Sequence, residues 1–277
     1  MKKRNKDITV ILTLYKTPTK KLINLNEYRN FKIILFNQNS NTFYKKELKQ
    51  ILNFKFLYYS SKKNIGLSKS SNFLLKKVKT KYCLFTQADV NISEKSINLL
   101  KKILIKKKDT IFIGPNFKKI SSKDKLKKYS YVKNLDIACM LCDVKKLKKI
   151  NFFDEDFFLY WEDIFLINKI NRSKYKMIIA NNVKAYHEGG KSTKDDHKTQ
   201  FIRNSNFKYG EFLYDYKLDN FRYLKLIRQF FQNIFYLIFN FLSFNKNNLY
   251  KNLAIITGIY KFSRFYLFKK VSSLLNK

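Results

Sequence analysis

The sequence predicts an α/β fold, a mostly parallel sheet flanked by helices, followed by C-terminal amphipathic helices. Three observations carry this prediction. From Ile8 to about Gly114, short apolar runs alternate with helix-length amphipathic stretches, the pattern of strands joined by crossover helices. The residues that end the apolar runs are polar, and ligands of such sheets bind at the carboxyl ends of the strands. After Asp219 apolar residues instead recur at steps of three and four, the spacing of one helical face.

Taken in order, Ile8–Leu14 reads as a first strand. The N-terminus is basic, but the apolar run is only about eight residues and no small-residue cleavage site precedes Lys16. A helix is expected near Thr19–Tyr28 and a strand at Lys32–Asn37. Helix Thr42–Asn53, strand Phe54–Tyr59, helix Leu67–Val78 and strand Tyr82–Thr86 follow. The polar strand ends are Thr13/Tyr15, Asn37–Ser40, Ser60–Gly66 and Gln87–Asp89. A helix at Glu94–Lys107 and a strand at Thr110–Gly114 close this half, residues 1–117. The basic, low-complexity stretch Lys118–Lys128 marks a boundary. In the second half, 118–205, strand Asp136–Cys142, helix Val144–Ile150 and a helix from about Trp161 to Asn171 precede strands Met177–Ala180 and Val183–Tyr186. Residues 206–277 form the C-terminal helical region.

The chain has 277 residues, 45% of them hydrophobic, enough for a sizeable core. Its formal charge of +38 invites nucleic acid as a partner. Two features weigh against that. Only seven of the 58 basic residues are Arg, the residue suited to bidentate base and phosphate contacts. The charge is also spread out: residues 219–277 carry ten Lys/Arg and one Asp. Lys, Asn, Ile, Phe and Tyr all have AT-rich codons, so base composition is a competing source of the charge. No nucleic acid is expected as partner. The cysteines Cys83, Cys139 and Cys142 show no secreted disulfide pattern, and Cys139–Cys142 in ACMLCD reads as a buried strand. A reducing, cytoplasmic compartment fits.

Phe152–Asp163, FFDEDFFLYWED, is the stretch least like its basic surroundings. A carboxylate walled by aromatic rings can be tuned for proton abstraction. His187 follows Asp163 by 24 residues, in YHEGGKS, and can complete a metal site. The plainer reading is a helix start with acids favoured by the dipole and aromatics facing the core.

In order, ITVILTLYKTP (Ile8–Pro18), IILFNQNSN (Ile33–Asn41), NIGLSKSSN (Asn64–Asn72), LFTQAD (Leu84–Asp89), FFDEDFFLYWED and YHEGGKS resemble the inverting family 2 glycosyltransferases of the GT-A fold. The likeness spans roughly residues 7–193 and is strongest to the rhamnosyltransferase-type branch of polysaccharide assembly. It implies a sugar moved from a nucleotide diphosphate donor, dTDP-rhamnose or a UDP-hexose, to a glycan acceptor, plausibly lipid-linked. By this resemblance Asp89 binds Mg²⁺ or Mn²⁺, with His187 a further ligand. Asp163 is the general base, and Glu162 positions acceptor or donor. Asn64 and Gly66 lie where helix N-terminal amides can face a diphosphate, and Asn72 braces that loop. Thr13, Tyr15, Asn37, Gln87 and Lys191 complete the nucleotide-sugar side.

Three positions depart from the family pattern. Gln87 stands where the first acid of the metal motif is expected, Asn37 where Asp often contacts the nucleotide, and Phe165 where a second acid follows the base. These departures motivate an alternative, a non-catalytic scaffold that binds sugar nucleotide. A basic nucleic-acid-binding protein is the more distant rival.

In the C-terminal region Phe221, Leu224, Ile227, Phe231, Ile234, Ile238 and Phe241 share one helical face, flanked by Arg222, Lys225 and Arg228. The run Phe230–Phe244 is 15 residues long, short of the about 20 that span a bilayer. A second stretch, Leu249–Phe268, carries Lys251, Lys261 and Arg264. Such helices suit an anionic membrane surface, here the inner face of the cell membrane. Packing on the core or on a homodimer partner is the other reading.

Overall fold

The computed structural model describes residues 7–39, 42–117, 127–190, 193 and 196–275. In chain order the elements are β1 (Ile8–Leu14), a 3₁₀ helix (Thr19–Tyr28), β2 (Lys32–Asn37), α1 (Thr42–Ile51), β3 (Leu57–Ser60), α2 (Leu67–Lys77) and β4 (Tyr82–Thr86). They continue with β5 (Val90–Asn91), α3 (Glu94–Lys106), β6 (Thr110–Asn116), β7 (Ser130–Val132), β8 (Cys139–Asp143), α4 (Val144–Lys149) and α5 (Glu162–Asn171). Last come β9 (Lys176–Lys184), β10 (Tyr186–His187), α6 (His197–Lys217), α7 (Tyr223–Leu242) and α8 (Lys246–Leu275). They form two compact units, Met1–Asp154 with Asp163–Lys194, and Glu155–Glu162 with Asp195–Lys277.

The first unit holds an eight-stranded sheet of order β3-β2-β1-β4-β8-β6-β9-β7. The β3-β2-β1-β4 half is parallel, while β8 runs antiparallel to both its neighbours. β9 is parallel to β6, and β7 antiparallel to β9. Side chains alternate across a strand, and here both faces are covered, so the central strands are largely apolar on both faces. Val10 and Leu12 join Leu22, Leu25, Ile97 and Leu100 on one face. Ile11, Ile34, Cys83 and Phe85 join Leu74, Leu75, Leu147 and Leu166 on the other. Each such Leu or Ile contributes about 2 kcal/mol by leaving water.

The sequence prediction and the structure differ where polar side chains intervene. β3 begins at Leu57, because Phe54 and Phe56 pack against the core from the connecting loop. β8 begins at Cys139, since Asp136 Oδ1 accepts the Ala138 N–H at 2.8 Å and turns the chain before the strand. β9 runs unbroken through Asn181, whose amide donates to the Lys127 carbonyl and Ser130 Oγ. β7 was not anticipated, and the expected helical region 206–277 takes in only the second half of α6. The basic stretch 118–128 lies almost wholly outside the described residues. Cys139 and Cys142 do lie in a buried strand, and the three thiols are free.

In the second unit, Asp196 caps α6 by accepting the Thr199 N–H at 2.7 Å, worth about 1 kcal/mol. Phe212 on α6 stacks on Phe262 of α8 with ring centroids 5.5 Å apart, and Phe221 meets the same ring at 5.1 Å. Gly258 is required there, because a Cβ would collide with the Ser205 carbonyl oxygen of α6. No helix among the described residues is long and apolar enough to cross a membrane.

Candidate active site

Two groups of polar residues gather at the carboxyl ends of the parallel strands. The first is built around Asn64-Ile65-Gly66. Asn64 Oδ1 accepts the Gly66 N–H at 3.0 Å, closing an Asx turn. Gly66 has φ 87° and ψ 164°, a conformation open only to glycine at low cost. Ser70 Oγ donates to the Gly66 carbonyl at 2.7 Å and seats the turn on α2. From the end of β2, Gln38 Oε1 accepts the Ile65 N–H at 3.1 Å. The adjoining strand end, Thr13 and Tyr15, is half-buried, and Gln38 N–H donates to the Leu14 carbonyl.

Two expected nucleotide-sugar residues spend their side chains on the protein itself. Asn37 is buried; its Nδ2 donates to the Asn39 carbonyl at 2.8 Å and to Tyr58 Oη at 3.0 Å, and its Oδ1 accepts the Asn39 N–H at 3.1 Å. Asn72, expected to brace the Asn64 loop, reaches the acidic-aromatic segment. Its amide donates to the Phe153 carbonyl at 2.9 Å and accepts the Phe153 N–H at 3.1 Å, fixing the entry to the acidic-aromatic segment.

The second group holds Asp89 and His187. β4 ends at Thr86, and a turn closed by Val90 N–H on the Gln87 carbonyl leads into β5. β5 pairs with β10, setting His187 opposite Val90, and the Glu188 N–H donates to the Asp89 carbonyl at 3.0 Å. This small ribbon brings residues from distant parts of the chain together. The Asp89 carboxylate is fully shielded from solvent, and its Oδ2 lies 3.6 Å from His187 Nε2, beyond hydrogen-bond length. Nε2 is buried and has no hydrogen-bond partner among the described residues. The other ring nitrogen, Nδ1, lies 3.9 Å from Asp136 Oδ2. Asp136 is held by the Ala138 N–H on its other oxygen.

A buried carboxylate facing an imidazole nitrogen, with neither bonded to the other, is a donor pair suited to Mg²⁺ or Mn²⁺. The described residues contain no group of three or more His, Cys, Asp or Glu side chains placed to hold a metal. Asp89 and His187 would supply one oxygen and one nitrogen donor to such a cation.

Glu162 and Asp163 open α5. Glu162 is almost wholly buried at 3% exposure. Burial raises the Asp163 carboxyl above its ordinary value and the Asp136 charge adds to the rise, against the opposing Ile164 N–H, which Asp163 Oδ1 accepts at 2.8 Å. The residues before them, 155–162, belong to the helical unit. Tyr160 and Trp161 both have positive φ, 67° and 69°, a strain of about 1–3 kcal/mol each unless packing imposes it. That packing is present. Trp161 lies against Phe207 and Tyr214, and at Gly210 a Cβ would come within 2.7 Å of Trp161 Cδ1. Lys217 also pairs with Asp156 at 2.7 Å.

Asp89, His187 and Asp163 thus share one unit, with Asp136 acting on both the imidazole and Asp163. Lys191 lies outside the described residues. Asp136 and Gln38 were not singled out from sequence. The signal for Asp136 is slight, an acid immediately before an apolar strand; that for Gln38 is a polar residue directly after one.

Over residues 16–167 the sequence matches the family described as Glycosyl transferase family 2. No curated protein matches at the sequence level. Among solved structures, the mannosyltransferase PcManGT from Pyrobaculum calidifontis, in complex with GDP-Man and Mn²⁺, superimposes with a TM-score of 0.56 at 14% identity, covering 75% of this chain and 64% of that one. S. aureus TarS gives a TM-score of 0.50 at 15% identity, covering 73% of this chain and 39% of that one. The chain thus spans less than two thirds of the length of either structure. The architecture is of the GT-A type, and with more than half its length matched, the chain belongs to glycosyltransferase family 2.

Proposed function

We propose that this chain is an inverting glycosyltransferase that moves a sugar from a nucleotide diphosphate donor to a glycan acceptor in cell-surface polysaccharide synthesis. The observation that carries the reading is the gathering of Asp89, His187 and Asp163 around Asp136 within one unit. Residues 1–117 serve the donor and 118–205 the acceptor. The donor diphosphate lies against the amides of the Asn64–Gly66 turn and the start of α2, beside Thr13, Tyr15 and Gln87, with Lys191 assigned to the same nucleotide-sugar side by the family resemblance. Asp163, a stronger proton acceptor for its raised pKa, takes the acceptor hydroxyl proton. The acceptor oxygen then bonds to the anomeric carbon as the bond from that carbon to the diphosphate oxygen breaks. The nucleoside diphosphate leaves with the electron pair, and configuration inverts. Glu162, the preceding residue, orients acceptor or donor. Mg²⁺ or Mn²⁺, when held by Asp89 and His187, neutralises charge on the departing diphosphate.

The Mn²⁺ and GDP-Man of the Pyrobaculum calidifontis mannosyltransferase support a metal and a sugar nucleotide as a class. The rhamnosyltransferase-type motifs favour dTDP-rhamnose, with a UDP-hexose next, and a lipid-linked acceptor. Residues 206–277 associate with an anionic membrane surface, placing the protein at the cytoplasmic face of the cell membrane; a homodimer is the other use of these helices. The test is release of nucleoside diphosphate from UDP-, dTDP- and GDP-sugars with Mg²⁺ or Mn²⁺ and membrane extract as acceptor. Turnover of one donor, lost in Asp163→Asn and Asp89→Ala, is expected. Metal-dependent nucleotide binding without turnover of any donor would overturn catalysis in favour of the scaffold reading, which Gln87, Asn37 and Phe165 motivate.

A further inference from the structure

The polarity of α7 is inverted. A helix on a water-soluble protein turns its apolar stripe to the protein and its polar stripe to solvent. In α7 the stripe Gln229, Asn233 and Asn240 is turned to the protein, and each residue bonds there. Lys208 donates to Gln229 Oε1 at 3.0 Å, Asn252 of α8 donates to Asn233 Oδ1 at 3.1 Å, and Asn240 donates to Asn252 Oδ1 at 3.1 Å. The opposite stripe, at steps of four and three, is Phe231, Phe235, Ile238 and Leu242, exposed by 64%, 66%, 55% and 69%. Leu224 continues it at 80%. A contiguous aromatic and aliphatic face of this length is an interaction surface.

Charge selects the occupant. Residues 220–277 contain no Asp or Glu, and Arg222, Arg228, Lys246 and Lys251, at either end of α7 and on the neighbouring turn of α8, are exposed. The nearest acids on α6, Glu211 and Asp215, are already paired with Lys225. A second copy would set one cationic rim against another, whereas anionic headgroups neutralise it. We infer that α7 lies in the plane of an anionic bilayer surface, with Phe231, Phe235, Ile238 and Leu242 below the headgroups and the Asn233–Asn252–Asn240 ladder holding the helix to α8 above them. This deepens the membrane association proposed for residues 206–277.

The test uses the full-length protein with vesicles of phosphatidylcholine containing phosphatidylglycerol, and with phosphatidylcholine alone. Co-sedimentation with the anionic vesicles is expected, weakening as salt is raised, and falling by about tenfold or more in Phe235→Glu/Ile238→Glu. As a conservative companion, Phe235→Trp is expected to show emission quenched by brominated acyl chains, over the baseline set by Trp161. Unchanged sedimentation of the double variant, or emission of the introduced indole untouched by brominated lipid, would overturn the proposal. So would a wild type that ignores vesicles but self-associates through this face, losing the association in the double variant. Sugar-nucleotide turnover with a soluble acceptor separates this proposal from the catalytic one. The double variant keeps turnover, and Asp163→Asn keeps vesicle binding.

Discussion

The two polar groups at the strand ends use their side chains in opposite ways. Around Asn37, Gln38 and Asn64, amides are bonded to backbone N–H and carbonyl groups and fix the shape of a turn. Around Asp89, His187 and Asp136, charged and titratable groups face one another at 3.6 and 3.9 Å without a hydrogen bond. One region shapes backbone with its side chains, and the other brings titratable side chains face to face. The difference teaches that polar residues at one sheet edge can be spent on the shape of a turn while those beside them are gathered for one another.

Asp163→Asn sharpens the contrast most. Turnover is expected to fall by about 10³-fold with nucleoside diphosphate affinity unchanged in calorimetry. In the wild type, activity should fall as pH drops through the raised pKa of Asp163. The stability effect has the opposite sign. A carboxyl whose folded pKa is raised contributes stability below its unfolded pKa, which is lost as pH rises through the folded pKa. Asp163→Asn should therefore raise the neutral-pH melting temperature, by an amount worth up to about 1 kcal/mol.

His187→Ala is next. Mn²⁺ affinity in the presence of nucleoside diphosphate, read by electron paramagnetic resonance, should weaken by about 10- to 100-fold. Gly66→Ala tests the shaping region. The positive φ should cost about 1–3 kcal/mol in denaturant unfolding, and donor KM should rise about tenfold as the turn amides shift. The smallest effect on activity is expected of Asn37→Asp. It loses the donors to Asn39 and Tyr58, costing about 1–2 kcal/mol of stability, yet donor KM should move less than about threefold. A large change in donor preference would break the comparison, placing Asn37 on the nucleotide.

Much of this was legible in the sequence. β1, β2 and β4 lie within their apolar runs, whose branched and aromatic residues allow no other element, and the Asn64–Gly66 turn is visible as a pair of turn residues before a helix. The first half of α6 was not legible, because its apolar residues form no clean stripe. Asp136 was missed for a different reason. Its importance arises from the β5–β10 pairing, which brings His187 beside a loop 51 residues earlier, and no local pattern encodes such a meeting. Nor does any local pattern reveal that Asn72 hydrogen-bonds to Phe153, 81 residues away.

The three cysteines have a practical consequence. Cys83 and Cys142 face each other across β4 and β8, with Cys139 three residues along, all without solvent exposure. Burial also raises the Cys83 and Cys139 thiols well above the usual range, so little thiolate forms at neutral pH. A thiol reagent can reach them only when the middle of the sheet opens. The chain therefore carries its own clock for that event: with opening and reclosing fast relative to the chemistry, the labelling rate measures the opening free energy of the central strands.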